Sequence, residues 1–272
     1  MKFKTIFIIF NIVLILSFSI IFLAPLVMLG REYLGYFAAR SWIVAVFFLA
    51  TLTAVNTYFL SRWKLFSLLE KENWAELALF LEKRIYGRRR VRSGEVKMLI
   101  NAYLIGSDLD KLTRLEEALA RDKPGLIRKF ALHFGLPHLL KNDPAAVEAY
   151  FRPFADDAAV PQRGWMRWNV AFSLLLQQRV VEAREELKAL SGESSDPLLH
   201  LLTLYLWDSC TGEDEAGAQT IRESRRRLIR RFPNLETWNR KVVMRSGNVE
   251  ALILSQVVRD ASNWLFTNRE PD

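Results

Sequence analysis

Histidine and cysteine, the side chains that most often bind metals or act as nucleophiles, are rare in this sequence. The chain has three histidines, His133, His138 and His200, and one cysteine, Cys210. His133 and His138 do not share a helical face, as the i, i+4 ligands of a zinc site do. The sequence contains no H-E-x-x-H motif, no glycine-rich phosphate loop and no nucleophile elbow. We therefore expect no catalytic residue, cofactor or metal, and we interpret the histidines as packing or surface residues and Cys210 as a buried thiol.

Arginine-rich clusters supply the remaining candidate chemistry. The first cluster contains Lys83, Arg84, Arg88, Arg89, Arg90 and Arg92, and the second contains Arg222, Arg225, Arg226, Arg227, Arg230 and Arg231. The first follows an apolar run closely, so it is either a contact for anionic lipid head groups or a solvated connection between helices. In the second, positions 222, 226 and 230 share one helical face. That face is either the solvated side of an array helix or a contact for an acidic protein or polyanion.

Overall charge and cysteine content narrow the class of protein. The net charge is +8, of which +5 falls in residues 61–272, and a surplus this small is not typical of nucleic-acid-binding proteins. A single cysteine excludes an internal disulfide and a cysteine-based zinc site, which fits a reducing compartment. We therefore expect no nucleic-acid partner.

The elements that would position these residues are clearest from Gly164 to Pro197. There the sequence predicts a helix, a turn and a second helix. Apolar residues recur every three or four positions on each side of a turn, at Trp165, Trp168, Phe172 and Leu175 and again at Val180, Ala183, Leu187 and Leu190. Neither helix can bury its apolar stripe alone, so further copies are predicted on both sides. No strand-like alternation follows residue 60, so we expect no sheet.

Short breaks recur at an even interval through this part of the chain. They are Glu72-Asn73, Gly106-Ser107, Asn142-Asp143, Gln178-Arg179, Gly212-Glu213 and Gly247-Asn248. The small or apolar residues after the breaks, from Leu77 to Leu252, are spaced 34 to 36 residues apart. That spacing is the length of a helical hairpin repeat of the tetratricopeptide type. Asp143-Pro144 and Asp196-Pro197 pair an N-cap acceptor with a proline at the first helical position, and Pro233-Asn234 indicates another helix start.

The sequence from about residue 58 to 270 resembles the tetratricopeptide repeat superfamily. Ala171 and Ala183 match the small residues of the two repeat helices, and Leu99, Tyr103 and Leu112 match the large positions of an earlier copy. No copy has the family's glycine in the first helix. Pro137 disturbs the third unit, so we expect irregular stacking near residues 135–160.

The resemblance implies that the first helices of the repeats line a concave surface that binds peptide segments. In the second copy this surface would present Lys97 and Asn101, a spacing similar to part of the family's carboxylate clamp. The matching positions in the next copies are His133 and Asn169, so the clamp is incomplete. Trp165 and Trp168 are further candidates for this surface, with core packing as their alternative role.

Two uncharged apolar runs precede the repeats, at about residues 5–28 and 41–60. Each is long enough to cross about 30 Å of hydrocarbon, so together they predict a transmembrane hairpin. The length of the first run and the lack of an A-x-A-like site disfavour a cleaved signal peptide. We also expect the helix at Arg62 to Lys71 to continue directly from the second run, which would hold the array close to the bilayer.

Basic residues near the ends of the two runs predict the orientation of the hairpin. Lys2 and Lys4 precede the first run, and Arg62, Lys64 and Lys71 follow the second. The loop that connects the two runs carries only Arg31 and Arg40. Both termini should therefore face the cytoplasm, with the anchor in a bacterial inner membrane. Asn11 and Asn56 fall at similar depth, and they either share a hydrogen bond or each reach interfacial water.

These patterns predict an all-α protein with two transmembrane helices followed by a tetratricopeptide-like α-α superhelix, a solenoid. The predicted domains are a membrane hairpin at residues 1–60 and a repeat domain at residues 61–272. We expect a non-enzymatic scaffold or adaptor for protein–protein interaction at the cytoplasmic face. The layout is also similar to that of HemY-type proteins, which gives an accessory role in membrane-associated tetrapyrrole metabolism as the alternative.

Overall fold

The regular structure of this chain is entirely helical over the residues that the computed structural model describes. Those residues are 3–22, 27, 35, 42–87, 91–141, 143–193, 195–212, 214–244 and 254–267. The helices are α1 (Phe3–Phe22), α2 (Trp42–Glu70), α3 (Trp74–Tyr86), α4 (Ser93–Ile105), α5 (Leu109–Asp122), α6 (Pro124–Phe134), α7 (Leu136–Leu140), α8 (Pro144–Asp156), α9 (Arg163–Leu176), α10 (Val180–Glu193), α11 (Pro197–Cys210), α12 (Glu215–Arg231), α13 (Leu235–Trp238) and α14 (Ser255–Thr267), with a π-helical turn at Asn239–Val243. The predicted all-α class is confirmed.

Two compact units make up the chain, Met1–Asp108 and Leu109–Asp272, and each is described by itself. In both, helices that follow one another in the sequence pack against one another. The second uncharged apolar run ends near residue 60, where charged residues begin. This change in composition falls inside α2, because the helix continues without interruption to Glu70.

The first two helices of unit 1 pack antiparallel. The Asn56 side-chain amide donates a hydrogen bond to the Asn11 side-chain oxygen at 2.8 Å. Aromatic contacts flank this bond on both sides, with ring centroids 5.3 Å apart for Phe7 and Phe59 and 5.0 Å apart for Phe18 and Phe48. Of the two roles left open for the asparagines, the structure favours the shared hydrogen bond.

One described helix, α2, is long and apolar enough to cross a membrane, and its apolar stretch is not buried inside the protein. The apolar part of α1, Thr5–Ile21, is shorter, and residues 23–26 and 28 of the predicted first span lie outside the described part of the chain. The second span is thus supported by length and composition, and the first stays a prediction. The helix expected at Arg62 to Lys71 does continue directly from the second run.

Left-handed residues reverse the chain at several of the predicted breaks. Glu72, Ser107, Gln178 and Gly212 all have φ between 51° and 61°. Each stands where the sequence placed a break, and each lies between two helices. Asn142 and the break at Gly247-Asn248 lie outside the described residues. Four breaks inferred from spacing alone therefore correspond to sharp turns of one kind.

Asparagine and aspartate caps start several helices as the sequence predicts. The Asp143 carboxylate accepts hydrogen bonds from the Ala145 and Ala146 amides, and the Asp196 carboxylate accepts one from Leu198. Asn234 caps the short α13 through the amide of Thr237. These bonds satisfy amide groups that have no partner within the helix.

The region from Phe130 to Val160 is irregular, as Pro137 predicts. Phe130 leaves the helical conformation, and α6 and α7 are short helices that meet at Gly135. A Cβ atom on Gly135 would overlap the ring of Phe151, which is fully buried. Glycine therefore allows α8 to pack directly on the junction between α6 and α7.

Candidate functional site

The aromatic residues proposed for the peptide-binding surface lie in the core of unit 2. Trp165 and Trp168 on α9 are 2% and 0% exposed, and Asn169 is 0% exposed. The Trp165 indole donates a hydrogen bond to Asp196, and Trp168 stacks on Phe172 with ring centroids 5.2 Å apart. All three residues are thus enclosed, which favours the core-packing alternative for the two tryptophans, and their contact with a partner stays a prediction.

The neighbours of α9 explain why its aromatic face is closed. This helix packs against α8, α10 and α11. Met166, Val170 and Leu174 are buried as well, although they lie away from the tryptophans on the helix. A helix that is apolar on two sides packs between its neighbours, so the tryptophan side of α9 is not accessible.

Lys97 and Asn101, the other predicted partner-binding residues, remain accessible. They lie on α4 in unit 1, where Lys97 is exposed and Asn101 is half-buried. Between them on the helix, Leu99 and Ile100 are fully buried and hold α4 in place. The role of Lys97 and Asn101 in partner binding stays a prediction.

The predicted lipid-contact residues are described only in part. Arg88, Arg89 and Arg90 lie outside the described residues. Arg92 is exposed and stands directly before α4. Their contact with lipid also stays a prediction.

The histidines and the cysteine have structural surroundings. His138 stacks on Tyr150 with ring centroids 4.5 Å apart, and His133 meets Phe130 edge-on at 6.0 Å. Burial lowers the pKa of His138 and of His200, with Lys141 and Arg227 adding to the effect, respectively. Cys210 is buried, and burial raises the pKa of its thiol. The buried thiol expected at Cys210 is confirmed, and of the two roles left open for His138, packing or surface, its stacking favours packing.

A cluster of ion pairs joins α8, α9 and α10, and we call it the paired cluster: Glu148, Arg152, Arg167, Glu186 and Glu193. Arg152 contacts Glu148 at 2.7 Å and Glu186 at 3.0 Å. Arg167 contacts Glu186 at 3.2 Å and Glu193 at 3.0 Å. Every charge in this cluster therefore has at least one partner of opposite sign on the same or a neighbouring helix.

Electrostatics within the paired cluster favour the ionised carboxylates. Burial alone would raise the pKa of Glu148, but hydrogen bonds from Arg152 and Gln177 and the charge of Arg179 lower it overall. A hydrogen bond from Arg167 lowers the pKa of Glu193. An open groove of about 440 Å³ lies over the cluster, with the buried Leu174 and the exposed Val181 in its wall. Because both arginines in its wall already contact carboxylates within the fold, we assign this groove a structural role.

The basic helix α12 is organised differently. Its apolar side, with Ile221 and Leu228, is buried in the core of unit 2. Its outer side presents three exposed arginines one turn apart, Arg222, Arg226 and Arg230, and we call them the arginine row. At about 1.5 Å per residue the row extends about 12 Å along the helix. Among the described residues, neither Arg222 nor Arg230 has a carboxylate partner.

Arg225 belongs to the structure rather than to the arginine row. Its guanidinium lies 4.6 Å from the ring centroid of Trp264 and donates hydrogen bonds to the carbonyls of Trp264 and Leu265 near the end of α14. A cation at this position satisfies carbonyls that have no partner within the helix. The sequence places Arg225 in a basic cluster but carries no local signal for this distant contact.

A guanidinium forms two parallel hydrogen bonds with a carboxylate or a phosphate. Three guanidinium groups at a spacing of one turn therefore match a row of acidic groups with a spacing of about 6 Å, such as glutamates four residues apart on a helix. The arginine row therefore has the geometry for such a contact, and at Arg222 and Arg230 no carboxylate among the described residues of the chain already occupies the guanidinium.

A family model described as "Uncharacterised Treponema protein" matches residues 111–267, more than half of the chain. The chain belongs to this family. The family match includes the paired cluster and the arginine row. A protein of Treponema pallidum (strain Nichols), described as an uncharacterized protein, is 27% identical over 288 residues, which cover 98% of this chain and 88% of that protein. No solved structure matches the chain.

Proposed function

We propose that the protein is an integral membrane adaptor. A two-helix anchor holds a tetratricopeptide-like solenoid at the cytoplasmic face of a bacterial inner membrane, and the solenoid binds an acidic protein partner through the arginine row. The observation that carries this proposal is the exposed row on a helix whose opposite side is fixed in the core. Solenoids typically use such extended surfaces to hold other proteins.

The contacts between α1 and α2 support the anchor. A side-chain hydrogen bond such as that between Asn11 and Asn56 is a common way to join two helices in a bilayer, where water does not compete for it. The uninterrupted course of α2 beyond residue 60 supports a stiff connection between the anchor and the first helical hairpin.

The turns support the assignment of the helices to a tetratricopeptide-like array. Glu72 and Ser107, and likewise Gln178 and Gly212, are separated by one repeat length, and Ser107 and Gln178 by two. A fifth left-handed residue, Gln162, lies off this interval, and the even separation of the other four is typical of stacked helical hairpins.

The arginine row is a stronger candidate for partner binding than the first helices of the array. Trp165, Trp168 and Asn169 are enclosed, so the fourth copy offers no aromatic surface to a peptide. The row, in contrast, is exposed and carries charges that no carboxylate neutralises at two of its three positions.

Photocrosslinking in intact cells tests this function. A photoreactive residue at Gln219, which is exposed one turn before Arg222, should give an adduct with an acidic protein, and a probe at Asn101 on α4 should not. The triple variant Arg222→Glu, Arg226→Glu and Arg230→Glu should abolish the adduct, because like charges repel the partner.

A matched control reverses three other exposed basic residues of unit 2, Arg114, Arg121 and Lys188. This control makes the same change in net charge, and the adduct at Gln219 should persist. If both triple variants lose the adduct equally, or if only the probe at Asn101 gives one, the arginine row is not the contact surface.

The tetrapyrrole role stays a prediction from layout, and a porphyrin titration of the full chain tests it.

A further inference from the structure

The second and third helices of unit 1 form a tight antiparallel pair. Three residues join α2 to α3, and the left-handed Glu72 among them reverses the chain. The Lys64 ammonium lies 5.3 Å from the ring centroid of Phe80, and these residues are equally far along the chain from Glu72. The C-terminal half of α3 therefore runs back along α2 toward the apolar part of that helix.

The length of α3 brings its end to the predicted bilayer surface. From Phe80 to Tyr86 the helix advances about 9 Å. Even at a crossing angle of about 50°, which is common for packed helices, this corresponds to about 6 Å along α2. Starting at the level of Lys64, α3 thus ends beside residues 58–60, where the second predicted span meets the cytoplasm.

Charged side chains are sorted along this helix pair. Near the turn, far from the apolar stretch, Glu70, Glu72 and Glu76 are exposed together with Lys71. The opposite end of α3 presents Lys83 and an exposed aromatic side chain, Tyr86, which is 55% exposed. Tyrosine and lysine at this level are typical of residues at a membrane–water interface.

Neighbouring contacts show which basic groups are available at this end. Arg84 is occupied, because it forms an ion pair with Glu95 at 2.6 Å. The Glu82 carboxylate accepts a hydrogen bond from the Tyr103 hydroxyl. Lys83 has no carboxylate partner among the described residues. On α2, the Arg62 guanidinium lies 4.8 Å from the ring centroid of Tyr58. In the antiparallel register of the two helices, this Arg62–Tyr58 pair lies beside the end of α3 that carries Tyr86.

We propose that Lys83 and Tyr86 on α3, together with Arg62 on α2, form a binding site for the head group of an anionic phospholipid. The proposal rests on the membrane anchoring proposed above. The two cations would contact the lipid phosphate, and the Tyr86 ring would lie at head-group depth with its hydroxyl toward water. Lipid is the occupant because the antiparallel pairing places these groups at the bilayer surface, where phosphates are concentrated.

Native mass spectrometry of the full chain in detergent micelles tests the site by titration with phosphatidylglycerol or phosphatidylcholine. We expect tighter retention of phosphatidylglycerol. The variant Lys83→Gln should weaken that retention about fivefold, and Lys83→Gln with Arg62→Gln should weaken it about 25-fold. The matched control is Lys71→Gln, an exposed lysine of the same helix pair at the end far from the bilayer, and it should leave retention unchanged.

Several outcomes would overturn the proposal: equal retention of the two lipids, an equal loss with Lys71→Gln, or binding of soluble glycerol phosphate as tight as that of the lipid. Thermal unfolding of each variant checks that the fold is intact, since all three substituted side chains lie at or near the surface. Alkaline extraction of membranes tests the anchor separately. A chain that resists extraction but shows no lipid preference contradicts the lipid site and leaves the anchor standing.

Discussion

Unit 2 carries arginines in two contrasting environments. In the paired cluster, the side chains of Arg152 and Arg167 are 34% and 15% exposed, and each contacts two carboxylates. In the arginine row, Arg222 and Arg230 are exposed and have no carboxylate partner among the described residues. The two regions lie on helices of similar kind, each with an apolar side in the same core.

The difference separates a structural from an interactive use of charge. The paired cluster joins three consecutive helices, so its arginines act within the fold. Within the described part of the chain, Arg222 and Arg230 of the arginine row contact no carboxylate on another helix, and like charges one turn apart slightly oppose helix formation. Burial of Ile221 and Leu228 is sufficient to hold α12 in place, which leaves the row accessible to another molecule.

Removing the core beneath the paired cluster should give the largest effect. Trp168→Ala deletes a fully buried indole from α9, and we expect the free energy of unfolding to fall by about 3–5 kcal/mol. Chemical denaturation of the full chain in detergent, followed by circular dichroism, measures this change. A stable Trp168→Ala protein that had lost only partner binding would instead support the predicted surface role of this residue.

Breaking the paired cluster should have a smaller but clear effect. Glu186→Gln removes the charge shared by Arg152 and Arg167, and we expect a loss of about 1–2 kcal/mol, because both guanidinium groups keep one other partner. The same denaturation measurement applies. Adding Arg167→Gln should cost less in the Glu186→Gln background than in the wild type, and simple additivity would mean that the pair is not coupled.

Neutralising the arginine row should change stability little. For Arg222→Gln with Arg230→Gln we expect a change within about 0.5 kcal/mol, because neither charge is paired within the fold. Partner crosslinking from Gln219 should nevertheless fall. A loss of stability as large as that of Glu186→Gln would show that the row is structural and would remove the contrast between the two regions.

Mild acid should produce the smallest effect, and it compares a histidine that packs on α8 with one that lies near α12. Burial lowers the pKa of His138, which stacks on Tyr150 of α8, and of His200, which lies near Arg227 of α12. The unfolded chain therefore binds protons more readily than the folded one, and stability should decrease as the pH falls from 7.5 to 5.5.

Melting temperatures of the His138→Gln and His200→Gln variants across this range check the effect. Each substitution should flatten part of the pH dependence. Arg227→Gln should weaken only the contribution of His200, since Arg227 adds to the lowering of that pKa alone. A melting temperature that rises toward pH 5.5 in the wild type but not in the two variants would reverse the sign of this account.

Local features of the fold were predictable from the sequence. The breaks at Glu72, Ser107, Gln178 and Gly212 were inferred from an even spacing of 34 to 36 residues between the small or apolar residues that follow them, and each is a turn between two helices. The caps at Asp143 and Asp196 follow from the adjacent prolines. Turn and cap signals depend on a few neighbouring residues, so they can be recognised without knowledge of how distant helices pack.

Two aspects of the candidate site differ in how far the sequence could predict them. The apolar residues Met166, Val170 and Leu174 lie on the other side of α9 from its tryptophans, so the sequence already indicated a helix that packs on two sides. In contrast, the contact of Arg225 with the end of α14 joins residues far apart in the chain. No local pattern distinguishes Arg225 from the exposed arginines beside it.

Arginine footprinting with a dicarbonyl reagent tests the central contrast most directly. Mass spectrometry would report the modification of Arg222 and Arg230 and of Arg152 and Arg167, first in native membranes and then after purification in high salt. We predict that the arginine row is protected in membranes and becomes reactive after purification, whereas the paired arginines stay slow to react in both. Full reactivity of the row in native membranes, or equal reactivity of all four arginines after purification, would contradict the account.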